Sequence, residues 1–144
     1  MIDLGRRAKR LSRILTIENR KLEAYVASLA GIDSRRADFQ QNYDEAVREI
    51  NDLSVHPHAA SAEPLRIGLS WSMHLQERCN SIQLQINELD RDRALIVDQI
   101  CQQRTAIKGW ERLLKTIHEK MRSRRQIREA AQSDDDYLVR RGTA

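Results

Sequence analysis

Residues 51–68, NDLSVHPHAASAEPLRIG, hold both prolines of the 144-residue chain. Pro57 has no N–H to give a helix and disfavours the helical conformation in His56 before it, so a helix arriving from the N-terminal side should stop near Ser54. Pro64 suits the first turn of a new helix, where its missing N–H would be unpaired anyway, and Ser61 stands upstream as a candidate cap. The pattern on either side decides what this break does.

On the N-terminal side, apolar residues recur at Leu4, Ala8, Leu11, Leu15, Leu22, Tyr25, Leu29, Ile32, Phe39, Tyr43, Ala46, Ile50 and Leu53, in steps that alternate four and three. The same register crosses two polar positions, Glu18 and Arg36. On the C-terminal side it resumes at Leu75, Cys79, Ile82, Ile86, Leu89, Ile96, Ile100, Ile107, Trp110, Leu114, Ile117 and Met121, with Arg93 and Gln103 as the polar members. Beyond Met121 it lands on Arg124 and Arg128, and the apolar seam ends. A 3.5-residue period held this long is that of a coiled-coil helix rather than of a helix laid on a globular core.

The expected fold is therefore all-α, two long helices forming one antiparallel coiled-coil hairpin over 1–144. Helix one covers about 3–54, a connector about 55–65, helix two about 66–131 and a tail 132–144. The rival, a parallel dimer of extended chains, fits the mid-chain prolines less well. Laying the seams antiparallel puts Leu15 near Trp110, Leu11 near Leu114 and Ile50 near Leu75. One stretch departs from the pattern. Leu65, Ile67, Leu69, Trp71, Met73 and Leu75 alternate with period two, a strand signal with no partner strand in sight, which predicts an irregular entry into helix two.

Composition agrees with this reading. Charged residues make up 32% and aromatic residues 4%, with five glycines, the profile of long helices with little material for a thick core. The longest aliphatic run, Ala94-Leu-Ile-Val97, is far short of a membrane span, and the Arg-rich N-terminus lacks the apolar block of a secretory signal. A cytoplasmic location is expected. Cys79 and Cys101, 22 residues apart on one helix, would stand about 33 Å apart, too far to pair within the chain.

The modest net charge of +4 conceals a strong polarity. Residues 1–21 carry seven basic and two acidic side chains, and residues 104–128 nine and two. Residues 22–103 carry seven basic and thirteen acidic ones. A hairpin would bring the two basic blocks side by side, a charge distribution suited to steering one end toward an acidic partner. Nucleic acid is the competing partner. A zipper-type DNA reader, however, carries one basic region N-terminal to its heptads, and here the blocks flank both outer ends. No aromatic residues sit among the arginines to stack on bases.

His56-Pro-His58 has no third metal ligand close by, and His74 and His118 are single helix positions, so no metal or cofactor is expected. No Gly-rich phosphate loop, nucleophile motif or paired carboxylates appear, and no catalytic activity or small-molecule substrate is expected. Trp110 holds a seam position and reads as core. Trp71 lies one residue off the register among Leu69, Met73 and Leu75. It serves either as a docking surface or as packing against helix one. Gly109, beside Trp110, lies off the seam with no role in the pattern.

Residues 75–141, LQERCNSIQLQINELDRDRALIVDQICQQRTAIKGWERLLKTIHEKMRSRRQIREAAQSDDDYLVRR, resemble the small coiled-coil stalk proteins of type III export machines, FliJ in the flagellum and YscO in the injectisome. The shared features are a heptad helix and a step carrying Lys108, Glu111, Leu113 and Leu114. A string of Arg and Glu follows, then the acidic patch Asp134 to Asp136 with the closing pair Arg140 and Arg141. The N-terminal RRAKRLSRILTIENRKLEA is similar in tone only.

The resemblance implies a non-enzymatic protein, cytoplasmic and peripheral to the inner-membrane export apparatus. Such a stalk sits in the export ATPase ring and promotes its assembly, contacts the cytoplasmic domain of the membrane export gate, and can bind export chaperones. The ring contact would be made by Arg6, Arg7, Lys9, Arg10, Arg13, Arg122, Arg124, Arg125 and Arg128. The flagellar proteins also carry a gate-binding pattern, aromatic–x3–Leu–x2–Ala–x3–His. Trp71 and Leu75 match its first two positions, while Arg78 and Ile82 replace the last two. The alternatives are a basic coiled coil that binds nucleic acid and a generic scaffold.

Overall fold

A computed structural model describes residues 3–55 and 62–142, with side chains described throughout except at 54–55 and 62–65. Two helices account for nearly all of it: α1, Leu4–Val55, and α2, Ala62–Gly142. They pack against each other as an all-α hairpin. The Pro57 break, the Ser61 cap and the His56-Pro-His58 sequence lie outside the described residues.

Asp3 starts α1. Its Oδ1 accepts the Arg6 N–H at 3.3 Å, and its carbonyl accepts the Arg7 N–H at 3.2 Å, the first bond of the helical ladder. A short acidic side chain suits this place, because it pairs an otherwise orphaned donor and meets the positive end of the helix dipole. Nothing between Leu4 and Val55 breaks the ladder, and no described glycine takes a positive φ.

α2 departs from expectation at both ends. It begins at Ala62 rather than near 66, with Pro64 in its first turn, as the sequence predicts for that proline. The period-two stretch is fully helical. A strand needs a neighbour to accept its backbone hydrogen bonds, and in a two-helix chain only a helix can satisfy them internally. The cost is exposure: Ile67, Leu69, Trp71 and Met73 are all open to solvent, and among the described side chains of the stretch Leu75 is the buried one. At the other end the helix does not give way to a tail after 131 but continues to Gly142. The apolar seam ends at Met121, yet no proline or glycine follows until Gly142, and most of the residues up to Gln132 are good helix formers. Arg140 and Arg141 in the last turn complement the negative end of the dipole.

The structure separates into two compact units, Met1–Glu23 with Cys101–Ala144, and Ala24–Ile100. Each is an antiparallel helix pair. In the first, Leu4, Ala8 and Leu11 of α1 cluster with Ile117 of α2, and Ile14, Trp110 and Leu114 pack on them. Leu11 and Leu114 fall in one cluster, in keeping with the expected register, and the cluster takes in Ile14 of α1, whereas Leu15 is half-buried. In the second unit Ala46, Leu75 and Cys79 form a cluster flanked by Tyr43, Val47 and Ile50, so Ile50 packs against the cluster that holds Leu75. Among the described residues, every buried apolar side chain, from Leu4 to Ile117, belongs to the two seams, and no polar or charged side chain is buried. At about 1.5–3 kcal/mol for each large aliphatic side chain taken from water, these seam residues carry the fold.

Candidate functional site: the basic unit and the Trp71 face

The first unit gathers both basic blocks. It holds eighteen basic and nine acidic residues, against seven and twelve in the second, a net charge of +9 beside −5. The seam arithmetic explains why. α1 must begin opposite the 110–121 stretch of α2 to bury Leu4, Ala8 and Leu11 against Ile117, and the arginines flank those same residues in sequence.

Arg6, Arg7, Lys9, Arg10, Arg13, Arg122, Arg124, Arg125 and Arg128 are all exposed. Arg122, Arg124, Arg125 and Arg128 line a shallow groove with Asp3, Leu4, Gly5, His118 and Met121, so the start of α1 lies against the arginine-rich turn of α2. Arg6 turns back to Asp3, with its Nε 3.5 Å from the carboxylate. Arg7, Lys9, Arg10 and Arg13 are not among the groove-lining residues. They belong to the same unit, and the chemistry available to this surface is that of a multivalent cation, suited to carboxylates or phosphates.

The polar seam residues have partners. In the first unit Gln103 donates to both the carboxylate and the carbonyl of Glu18. The Gln103 hydrogen bond, then the one from Lys21, holds the Glu18 carboxyl below the ordinary glutamate range. In the second, Arg36 donates to Asp90 at 2.6 Å and Arg93 to Asp33 at 2.9 Å, two reciprocal bridges between the helices. The bond to Asp90 raises the Arg36 pKa further. Sequence reasoning singled out both arginines but missed both aspartates. The signal was available: Asp33 and Asp90 each follow a seam residue, Ile32 and Leu89, the flanking position from which coiled coils make interhelical ion pairs. The shallow groove around these bridges is lined by charges of both signs, four of which form the two bridges.

Of the two residues expected to meet a gate, the structure separates one from the other. Leu75 is 1% exposed at the centre of its cluster, so it is core and offers no surface for docking. It holds a seam position, and the family pattern drew it in only through its spacing from Trp71. Ile82, also in that pattern, is buried as well. Trp71 is 49% exposed, its ring 5.4 Å from that of His74 and tilted by 35°. On helical geometry Ile67, Trp71, His74 and Arg78 share one face beside the seam.

Among the described residues no group of three or more His, Cys, Asp or Glu side chains is placed to hold a metal ion, and no helix is long and apolar enough to cross a membrane. Fold and surface together define a helical hairpin with one strongly basic unit and a half-exposed tryptophan in the other. Comparison with protein-family models, curated proteins and solved structures finds no match to this chain.

Proposed function

We propose that this protein is a non-enzymatic stalk of a type III protein export machine, acting in the cytoplasm against the inner-membrane export apparatus. Its basic unit engages the ring of the export ATPase and promotes ring assembly, and the Trp71 face contacts the cytoplasmic domain of the export gate. The observation that carries the reading is the concentration of eighteen basic residues in one paired-helix unit. The two helices that bear them pack through apolar seams and leave the cationic groups outward, so this unit offers a stiff cationic surface for an acidic or polar ring lining. The exposed Trp71 supports the second contact, since a large amphipathic ring held on a helix is the kind of anchor that protein interfaces use. Leu75 takes no part in it.

The test is to mix the protein with the flagellar or needle-complex export ATPase of the same genome and follow ring assembly and ATP turnover. Both should rise at low salt, and reversing Arg122, Arg124, Arg125 and Arg128 to Glu should abolish the rise. Absence of any effect at low salt overturns the reading. Should the same variant instead lose affinity for DNA that falls steeply with salt, the basic unit serves nucleic acid.

A further inference from the structure

The last 20 or so residues of α2 run past the start of α1. The groove shared with Asp3, Leu4 and Gly5 ends at Arg128, and every residue from Met121 to Gly142 is exposed. Ile127 is 66% exposed and Leu138 63%. A solitary helix is marginal in water unless something packs on it, so this segment is a face without a described occupant.

Its pattern specifies the occupant. The four-three register that ends as an apolar seam at Met121 continues through Arg124, Arg128, Ala131, Asp135 and Leu138. Ile127 and Asp134 flank that line on the same side of the helix. The face therefore reads cationic, then small, then anionic, with Ala131 at its centre. Such an order cannot satisfy itself within one helix, because Arg128 and Asp135 stand two turns apart. It is satisfied by a second copy laid antiparallel. With the two-fold axis at Ala131, Arg128 of each copy faces Asp134 of the other, Arg124 lies within a turn of Asp135, and Ile127 lies near Leu138. The small Ala131 lets the helices approach at the crossing. An isologous contact requires this kind of self-complementarity.

We infer that the C-terminal segment of α2 is a homodimerisation surface whose partner is the same segment of a second copy, held by Arg–Asp pairs around Ala131. This goes beyond the stalk reading and does not depend on it. The overlap from Arg124 to Leu138 is about 22 Å long, two heptads, so the dimer is weak and salt-sensitive.

Sedimentation of the full chain should show mass rising from 16.8 kDa toward twice that value with concentration at low salt, and falling back at high salt. The variants Asp134→Lys/Asp135→Lys and Arg124→Glu/Arg128→Glu should each remain monomeric with the hairpin's melting transition retained, and an equimolar mixture should recover a heterodimer. An independent check is Ala131→Cys on a Cys101→Ser background, which should form a disulfide-linked dimer on mild oxidation. The inference is overturned by a wild type that stays monomeric up to millimolar concentration, by charge variants that dimerise as the wild type does, or by an Ala131→Cys chain that does not cross-link. The first of these outcomes would leave the face to a different protein.

Discussion

Gln103, on the seam of α2, donates its Nε2 to both the carboxylate and the backbone carbonyl of Glu18 on the seam of α1, at 2.5 and 2.8 Å. Two polar residues thus occupy places that the register would give to leucine, and they answer each other. A polar pair in a coiled-coil seam costs stability relative to apolar packing and fixes the register, because any slip leaves both groups unpaired. Gln103→Leu should therefore lower the melting temperature, since the Glu18 carboxylate keeps Lys21 but loses its main donor. The double variant Glu18→Leu/Gln103→Leu should melt above the wild type. Circular dichroism melts of the three chains test this, and a double variant that melts lower would show that the pair does more than set register.

The same contact has a pH signature. The Glu18 carboxyl sits below its ordinary value because Gln103, then Lys21, stabilise the ionised form. A carboxylate with a depressed folded-state pKa contributes stability that is complete above the ordinary glutamate value of about 4.3 and is lost as pH falls through the folded value. The melting temperature should fall on the acid side, and Glu18→Gln should flatten that fall. The measurement is the difference between the two chains, which should shrink as pH drops from about 6 to about 3.

Gly109 has no structural role in the helix that contains it. It is exposed, its φ is not positive, and a Cβ built on it meets nothing within 4 Å. Glycine there costs only backbone entropy, so Gly109→Ala should stabilise the protein by about 1 kcal/mol in denaturant melts. A loss of stability would mean that the open space beside Gly109 is occupied by something in solution.

The burial pattern separates residues that composition treats alike. Ile86 is 2% exposed and Leu84, two residues earlier, 66%. Ile86→Ala should cost about 2–5 kcal/mol, whereas Leu84→Ala should fall within about 0.5 kcal/mol of the wild type. Equal costs at the two positions would refute the seam register in the Ala24–Ile100 unit.

Much of this was legible in the sequence, and the reason is geometric. A 3.5-residue period states which side chains meet a partner helix, so Leu75, Ile86 and Ile117 could be placed in the core before any coordinates. What the period does not carry is where a helix ends once its seam has stopped. From Arg122 to Gly142 the helix continues although the apolar seam has ended. The stretch Ile67–Met73 misled for a related reason: alternation is a strand signal only where a second strand exists to pair with. Leu75 was claimed by two patterns at once, the seam and a spacing borrowed from a resemblance, and burial decided for the seam. Asp33 and Asp90 went unread because their meaning lies in the opposite helix, in Arg93 and Arg36.

The two cysteines offer a readout that needs no mutation. Cys79 lies within the Ala46–Leu75 cluster and Cys101 is exposed on α2. A thiol reagent needs access to the sulfur, so Cys101 should be labelled in the native protein while Cys79 stays protected. Denaturant should then release the second thiol with the same midpoint as the loss of helicity, because Cys79 is reached only when the packing of Ala46 and Leu75 opens. Titration should thus count one thiol in buffer and two in denaturant. Fast labelling of both in buffer would mean that the Ala24–Ile100 unit opens well below the global transition, as local unfolding allows, and that its seam is looser than its burial implies.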